Sequence, residues 1–247
     1  MNSTKHTTRI KMCGFTRPAH ALSAVAAGAD TLGFVFYKPS PRYIEPAAVR
    51  AIKALLPADT MLVGLFVNAD ATEVKNSVAA SGVNVLQFHG HETPEFCEAM
   101  SRELGLPYWK VIHIAAGESS ANPSEWVKYG QTYRSAQALL FDTASPLWGG
   151  TGQTFEWSQL LPLAQSANHD EAQHLSAPPL AHLLVLSGGL HAQNVGAGIA
   201  LLRPWAVDVS SGIEPLGADG KPQKGIKDPQ AMRDFVAAVK LADASLA

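Results

Sequence analysis

The chain has 247 residues, with 19 Lys and Arg against 21 Asp and Glu, a formal net charge of -2 and a hydrophobic fraction of 47%. That length suits one large α/β core, the absence of an extended basic tract argues against a broad nucleic-acid footprint, and no apolar run reaches the roughly 20 residues of a membrane span. Two cysteines make no disulfide framework and the opening MNSTKHTT lacks the apolar segment of a signal peptide, so a reducing, cytoplasmic setting and a small-molecule partner are expected.

In chain order, TRIKMCG (8–14) reads as a short strand and PAHALSAVAAG (18–28) as a helix opened by Pro18. The same pairing recurs in TLGFVF (31–36) with PAAVRAIKALL (46–56), and in MLVGLFV (61–67) with ATEVKNSVAAS (71–81). VNVLQFHG (83–90) precedes the helical TPEFCEAMSREL (93–104), and YWKVIHI (108–114) precedes a weaker helical stretch at 123–131. ALLFD (138–142) leads to a helix starting near Glu156, HLLVLSG (182–188) to NVGAGIALL (194–202), and AVDVSSG (206–212) to PQAMRDFVAAVKLA (229–242). Eight apolar strands, each followed by a helix, predict a closed parallel (β/α)8 TIM barrel, with a doubly wound open sheet as the alternative. One domain over 1–247 is the simplest division, with polar, Pro- or Gly-rich excursions at 167–182 and 215–225.

In such a barrel the strand ends and the loops after them share one face, which would gather Cys13, the 36–42 loop, His89, Asp142, Ser187, Gly188 and Ser210 to Gly212. The tract FDTASPLWGGTGQTFEW (141–157) puts an acid before glycines that expose backbone N–H groups, a fit for phosphate that is weak alone, since it lacks the lysine of a nucleotide-binding loop. LSGGL (186–190) and VSSG (209–212) add glycine turns after the last two strands, where barrels frequently hold a phosphate. Cys13 reads either as a small packing residue or as a thiolate that moves protons; Lys11, two residues earlier, projects to the same side and would favour the thiolate. Asp208 would face inward beside it, giving a Lys11 to Asp208 pair. Asp142 reads as a helix cap or as an acid, and Arg42 in KPSPRYI as a solvated side chain or a bidentate clamp on a carboxylate. Cys97, on a helix, reads as packing, and His89 and His91 lack a third ligand at a recognised spacing, so no metal site is expected.

Together KMCGFTR, GADTLGFVFYKPSPRYI, VGLFVN, LQFHG, LLFD before GGTGQTFEW, LSGGL, and VDVSSGIE before GIKD resemble the phosphoribosylanthranilate isomerase family, from about Arg9 to Lys240. The resemblance implies a cofactor-free Amadori rearrangement of N-(5-phosphoribosyl)anthranilate in tryptophan biosynthesis, with Cys13 as general base and Asp142 as general acid. It further implies that Arg42 faces the anthranilate carboxylate, that His89 and Ser210 bind substrate, and that Gly150, Thr151, Gly152, Gly188, Gly189, Ser211 and Gly212 hold the phosphate. A monomer or homodimer is expected. Gln153 stands where many members carry Lys, and Phe15 where Leu or Ile is commoner. A histidine-pathway isomerase would carry an aspartate in place of Cys13 and show a half-barrel repeat, and a pentose phosphate epimerase would need metal ligands. A noncatalytic phosphoanion-binding barrel is the alternative from another class.

Overall fold

The computed structural model describes residues 7–115, 129–144, 154–165, 184–218 and 220–246. Its strands are β1 (Arg9–Cys13), β2 (Thr31–Val35), β3 (Met61–Phe66), β4 (Val85–Phe88), β5 (Tyr108–Ile114), β6 (Ala138–Thr143), β7 (Leu184–Leu186) and β8 (Ala206–Val209). Each pairs in parallel with the next, and β8 returns to β1 with Lys11 opposite Asp208, so the sheet closes into a barrel and the open-sheet alternative falls. Between them run α1 (Pro18–Ala27), α2 (Pro46–Lys53), α3 (Ala71–Ser81), α4 (Pro94–Leu104), α5 (Leu161–Gln165), α6 (Val195–Leu202) and α7 (Pro229–Ser245). Local chemistry sets their ends. Pro18, Pro46, Pro94 and Pro229 each open a helix where a missing N–H costs nothing, and Asp70, Thr93 and Asp228 accept from the first-turn amides of α3, α4 and α7. The helix expected near Glu156 begins as a 3-10 turn, Trp157–Leu160, capped by Glu156.

Alternation along the strands divides the core. Ile10, Met12, Leu32, Phe34, Phe66, Phe88, Phe141 and Leu186 join helix residues such as Ala21, Val49 and Phe235 in the layer between barrel and helices. The intervening positions fill the barrel: Val63, Val85, Trp109, Val111, Ala138, Leu140, Val185 and Ala206 make one apolar cluster, and Cys13, Val35, Leu65 and Val67 another. The strand positions between those clusters include Lys11, Gln87, Asp142 and Asp208, all buried and polar. A floor of apolar side chains thus carries a ring of polar ones toward the carboxyl ends of the strands.

Of the two excursions, 167–182 lies outside the described residues, as does most of the helical stretch expected at 123–131. The 215–225 segment folds back on itself, with Leu216 bridged antiparallel to Pro222 and the Gln223 amide donating to the Pro215 carbonyl at 2.9 Å.

Candidate active site

A pocket opens at the carboxyl ends of the strands. Cys13, Arg42, His89, Asp142, Gly188, Gly189, Ser210 and Ser211 all line it, as do Tyr37, Gln87, Ser187 and Asp208. Gly150, Thr151, Gly152 and Gln153 lie outside the described residues. Gly212 is adjacent but does not line the pocket: it sits in the 3-10 turn Ser211–Ile213 with its α-carbon against the Leu190 carbonyl, which a Cβ would strike.

Cys13 ends β1 with its sulfur over the α-carbon of Gly33 on β2, where a Cβ would come within 2.5 Å of Sγ. Burial raises the thiol above its ordinary value and outweighs the Lys11 charge, which pulls the other way. Lys11 does pull toward the thiolate, the direction its place on the strand predicts, but in a dry pocket the desolvation of a sulfur anion exceeds the attraction of one ammonium that is also paired with a carboxylate. That engagement is the expected pair, Lys11 Nζ to Asp208 Oδ1 at 2.8 Å. Burial alone would lower the Lys11 ammonium, but Asp208 and then Cys13 hold it above its ordinary value.

Asp142 is 8% exposed on β6. Burial, then the nearby Asp208 charge, pushes its carboxyl up to about 7, against the Thr143 amide that donates to Oδ1 at 2.8 Å and the Lys11 and Arg42 charges. Gly188, at φ 83°, folds so close over this acid that a Cβ would meet Thr143 and approach Asp142 Oδ1 to 3.3 Å, which leaves room for glycine alone. The next described helical turn, Trp157–Leu160, is capped by Glu156 and not by Asp142. His89 lies just beyond β4, its Nε2 3.7 Å from Asp142 Oδ2, and burial together with His113, Lys11 and Lys110 holds it well below the ordinary imidazole range. The two side chains are not an ion pair at neutral pH.

The fork of Arg42 is turned on the protein itself. Nε and one terminal nitrogen donate to the two oxygens of Glu214 at 2.8 and 2.7 Å, so the bidentate grip expected for a ligand carboxylate is already in use. The remaining terminal nitrogen is left for the pocket that Arg42 lines. Glu214 also accepts from Lys227 Nζ and from the Gly225 amide, both at 2.9 Å. Lys227, 1% exposed, donates to the Ser210 carbonyl, and Ser210 Oγ donates to the Cys13 carbonyl at 3.1 Å. Burial lowers Lys227 to about 8, while burial of Glu214 is outweighed by Arg42 and Lys227, which keep it below its ordinary value.

Glu214, Lys227 and Gln87 were not singled out by the sequence. They lie within the blocks VDVSSGIE, GIKD and LQFHG that carry the resemblance, which was their only signal, because Glu214 reaches Arg42 across 172 residues of chain. Cys97 is a packing residue of α4, its thiol pushed up to about 12 by burial. Among the described residues no group of three or more His, Cys, Asp and Glu side chains is placed to hold a metal ion, and no helix is long and apolar enough to cross a membrane.

This geometry can be set beside known proteins. Residues 10–238 match the family model for N-(5'phosphoribosyl)anthranilate (PRA) isomerase. The chain belongs to the phosphoribosylanthranilate isomerase family. A relative from Herminiimonas arsenicoxydans, named N-(5'-phosphoribosyl)anthranilate isomerase, is 43% identical over 250 residues, 100% of this chain and 99% of its own. Monomers generated from the dimeric phosphoribosylanthranilate isomerase of Thermotoga maritima superpose with a TM-score of 0.74 at 32% identity, covering 95% of this chain and 99% of theirs. A phosphoribosyl anthranilate isomerase solved with reduced 1-(o-carboxyphenylamino)-1-deoxyribulose 5-phosphate superposes with a TM-score of 0.73 at 31% identity, covering 95% and 99%. As in other barrels, the isomerase fold places its pocket at the carboxyl ends of the strands.

Proposed function

We propose that the chain isomerises N-(5'-phosphoribosyl)anthranilate to 1-(2-carboxyphenylamino)-1-deoxyribulose 5-phosphate, with Asp142 as general acid and Cys13 as general base. Asp142 protonates the furanose ring oxygen; the bond from that oxygen to C1 breaks as the anthranilate nitrogen pushes its lone pair toward C1, giving a Schiff base. The Cys13 thiolate then takes the C2 proton, and the electron pair flows to nitrogen as an enolamine. Tautomerisation of that enol, with a proton delivered to C1, yields the ketone. The substrate nitrogen serves as the electron sink.

One observation carries this reading: a carboxyl raised to about 7 on β6 and a thiol at the end of β1 line the same pocket. The Gly188–Gly189 turn and Ser210–Ser211 suit the phosphate, and the free nitrogen of Arg42 suits the anthranilate carboxylate as a single-pronged contact. The test is loss of the substrate's fluorescence in the presence of purified protein without added metal. Turnover is expected, and Cys13→Ala or Asp142→Asn should each lower kcat by about a hundredfold to ten-thousandfold with the fold intact. A variant of either residue that keeps more than about half of the wild-type kcat removes that residue from its role.

A further inference from the structure

Among the described residues, the pocket lining includes two buried side-chain atoms without a hydrogen-bond partner, Gln87 Oε1 and His89 Nε2. Buried polar atoms are rarely left so. Gln87 and His89 are two residues apart and project the same way from β4, and the Gln87 amide nitrogen stands 3.2 Å from His89 Nδ1. An amide nitrogen only donates, so Nδ1 accepts, and the neutral ring carries its proton on Nε2. That N–H faces Asp142 Oδ2 from 3.7 Å, beyond hydrogen-bond reach, while Asp142 Oδ1 already accepts from the Thr143 amide.

We propose that Gln87 is a positioning residue: it fixes His89 as an Nε2–H donor that engages Asp142 once its proton has gone to the substrate. The inference rests on the reading of Asp142 as the acid. While Asp142 is protonated the gap stays open, and the carboxyl keeps its raised value and its proton. When it ionises, a buried carboxylate is left with one amide donor, and closing the gap by under about 1 Å supplies a charge-assisted second. Starting from the productive form, in which Asp142 holds its proton, the donor stabilises charge that develops as that proton leaves, which is the condition for accelerating the chemical step. The groups facing the imidazole are Lys11 on β1, Lys110 and His113 on β5 and Asp142 on β6, and Asp208 on β8 and Arg42 face Asp142. His113 Nε2 donates to the His89 carbonyl at 2.8 Å and steadies the ring's backbone. Neutrality of His89 matters, because the positive charge of an imidazolium beside Asp142 would stabilise the carboxylate and favour loss of its proton to solvent before substrate arrives.

The test is nitrogen-15 NMR of histidine-labelled protein together with kinetics of near-isosteric variants. Wild-type His89 should be the neutral Nε2–H tautomer at about pH 7. In Gln87→Glu a carboxylate faces Nδ1, so the spectrum should change to the Nδ1–H or the doubly protonated form, and kcat should fall by about tenfold or more with KM shifted by less than about threefold. His89→Gln keeps an N–H near the Nε2 position and should retain at least about ten times the kcat of His89→Leu, with thermal unfolding confirming that both are folded. An Nδ1–H tautomer in the wild type, a wild-type kcat in Gln87→Glu, or equal rates in the two His89 variants would overturn the proposal. Full turnover in Asp142→Asn would instead overturn the reading of the acid, which the tautomer spectrum does not depend on.

Discussion

Cys13 works within a space that its neighbour on β2 leaves open. Gly33 has no Cβ, and the thiol occupies the volume a methyl group would need, 2.5 Å from Sγ. Gly33→Ala should leave a folded barrel, since alanine suits a strand at least as well as glycine, yet displace the sulfur and lower kcat by roughly tenfold to a hundredfold. Circular dichroism with steady-state kinetics checks this, and an unchanged rate would show that the thiol's seat is not set by Gly33. For Asp142 the consequence is thermodynamic. Its value of about 7 in the folded chain lies above the ordinary 3.8, so between those values the folded state binds a proton that the unfolded state has released. Stability should then fall as pH rises through that window, by up to roughly 4 kcal/mol, and Asp142→Asn should abolish the slope and be the more stable protein above about pH 7. Urea unfolding from acid to neutral pH measures it; a wild type and variant with parallel profiles would contradict the raised value. Little of this was legible in the sequence. Spacing put Lys11 and Cys13 on one face of a strand, but the degree of burial, which decides that the thiol is raised rather than lowered, is a property of the closed barrel.

The loop after β8 is where a short stretch of chain organises several others. Glu214 holds Arg42 from the loop after β2, the Gly225 amide and Lys227, and Lys227 holds Ser210, whose hydroxyl reaches the end of β1. Glu214→Gln would leave two buried cations facing a neutral amide, with an expected loss of about 3–5 kcal/mol and a weaker hold on the substrate carboxylate as Arg42 loosens. Because Glu214 is held below its ordinary value, the stability it contributes is present at neutral pH and lost as pH falls through that depressed value. By contrast Leu216, at the tip of the same segment, is 65% exposed. Replacing 216–222 with a short glycine turn should leave kcat within about twofold, since a shorter surface loop alters closure entropy only slightly. A selective loss of turnover in that deletion would show that the tip reaches the site. The strand and helix that flank this loop were plain from periodicity, whereas its ion pairs were not, because they join positions remote in the chain and Lys227 reads from sequence like any surface lysine.

Barrel closure turns eight separate βα units into one constellation. The apolar cluster of Val63, Trp109, Leu140 and Val185 inside the barrel lies below the polar residues, and the chemistry sits where strands end and backbone donors begin. Order and type of the elements followed from alternation and helical period, and of the residues the family resemblance pointed to, Cys13, Arg42, His89, Asp142, Gly188, Gly189, Ser210 and Ser211 line one pocket while Gly212 stands beside it. Closure also sets the ionic state of the pair proposed as acid and base. Asp142 titrates near 7 and Cys13 above the ordinary thiol value of 9.0, so with one proton on the pair the majority form is carboxylate and thiol, and the productive acid and thiolate form is a constant minority of it. The pH dependence of kcat/KM for N-(5'-phosphoribosyl)anthranilate tests this most directly. The rate should rise as pH passes about 7, hold level, and fall only above the ordinary thiol range. A rate greatest near about pH 5 and lost as pH rises through 7 would contradict it, as would no turnover at any pH.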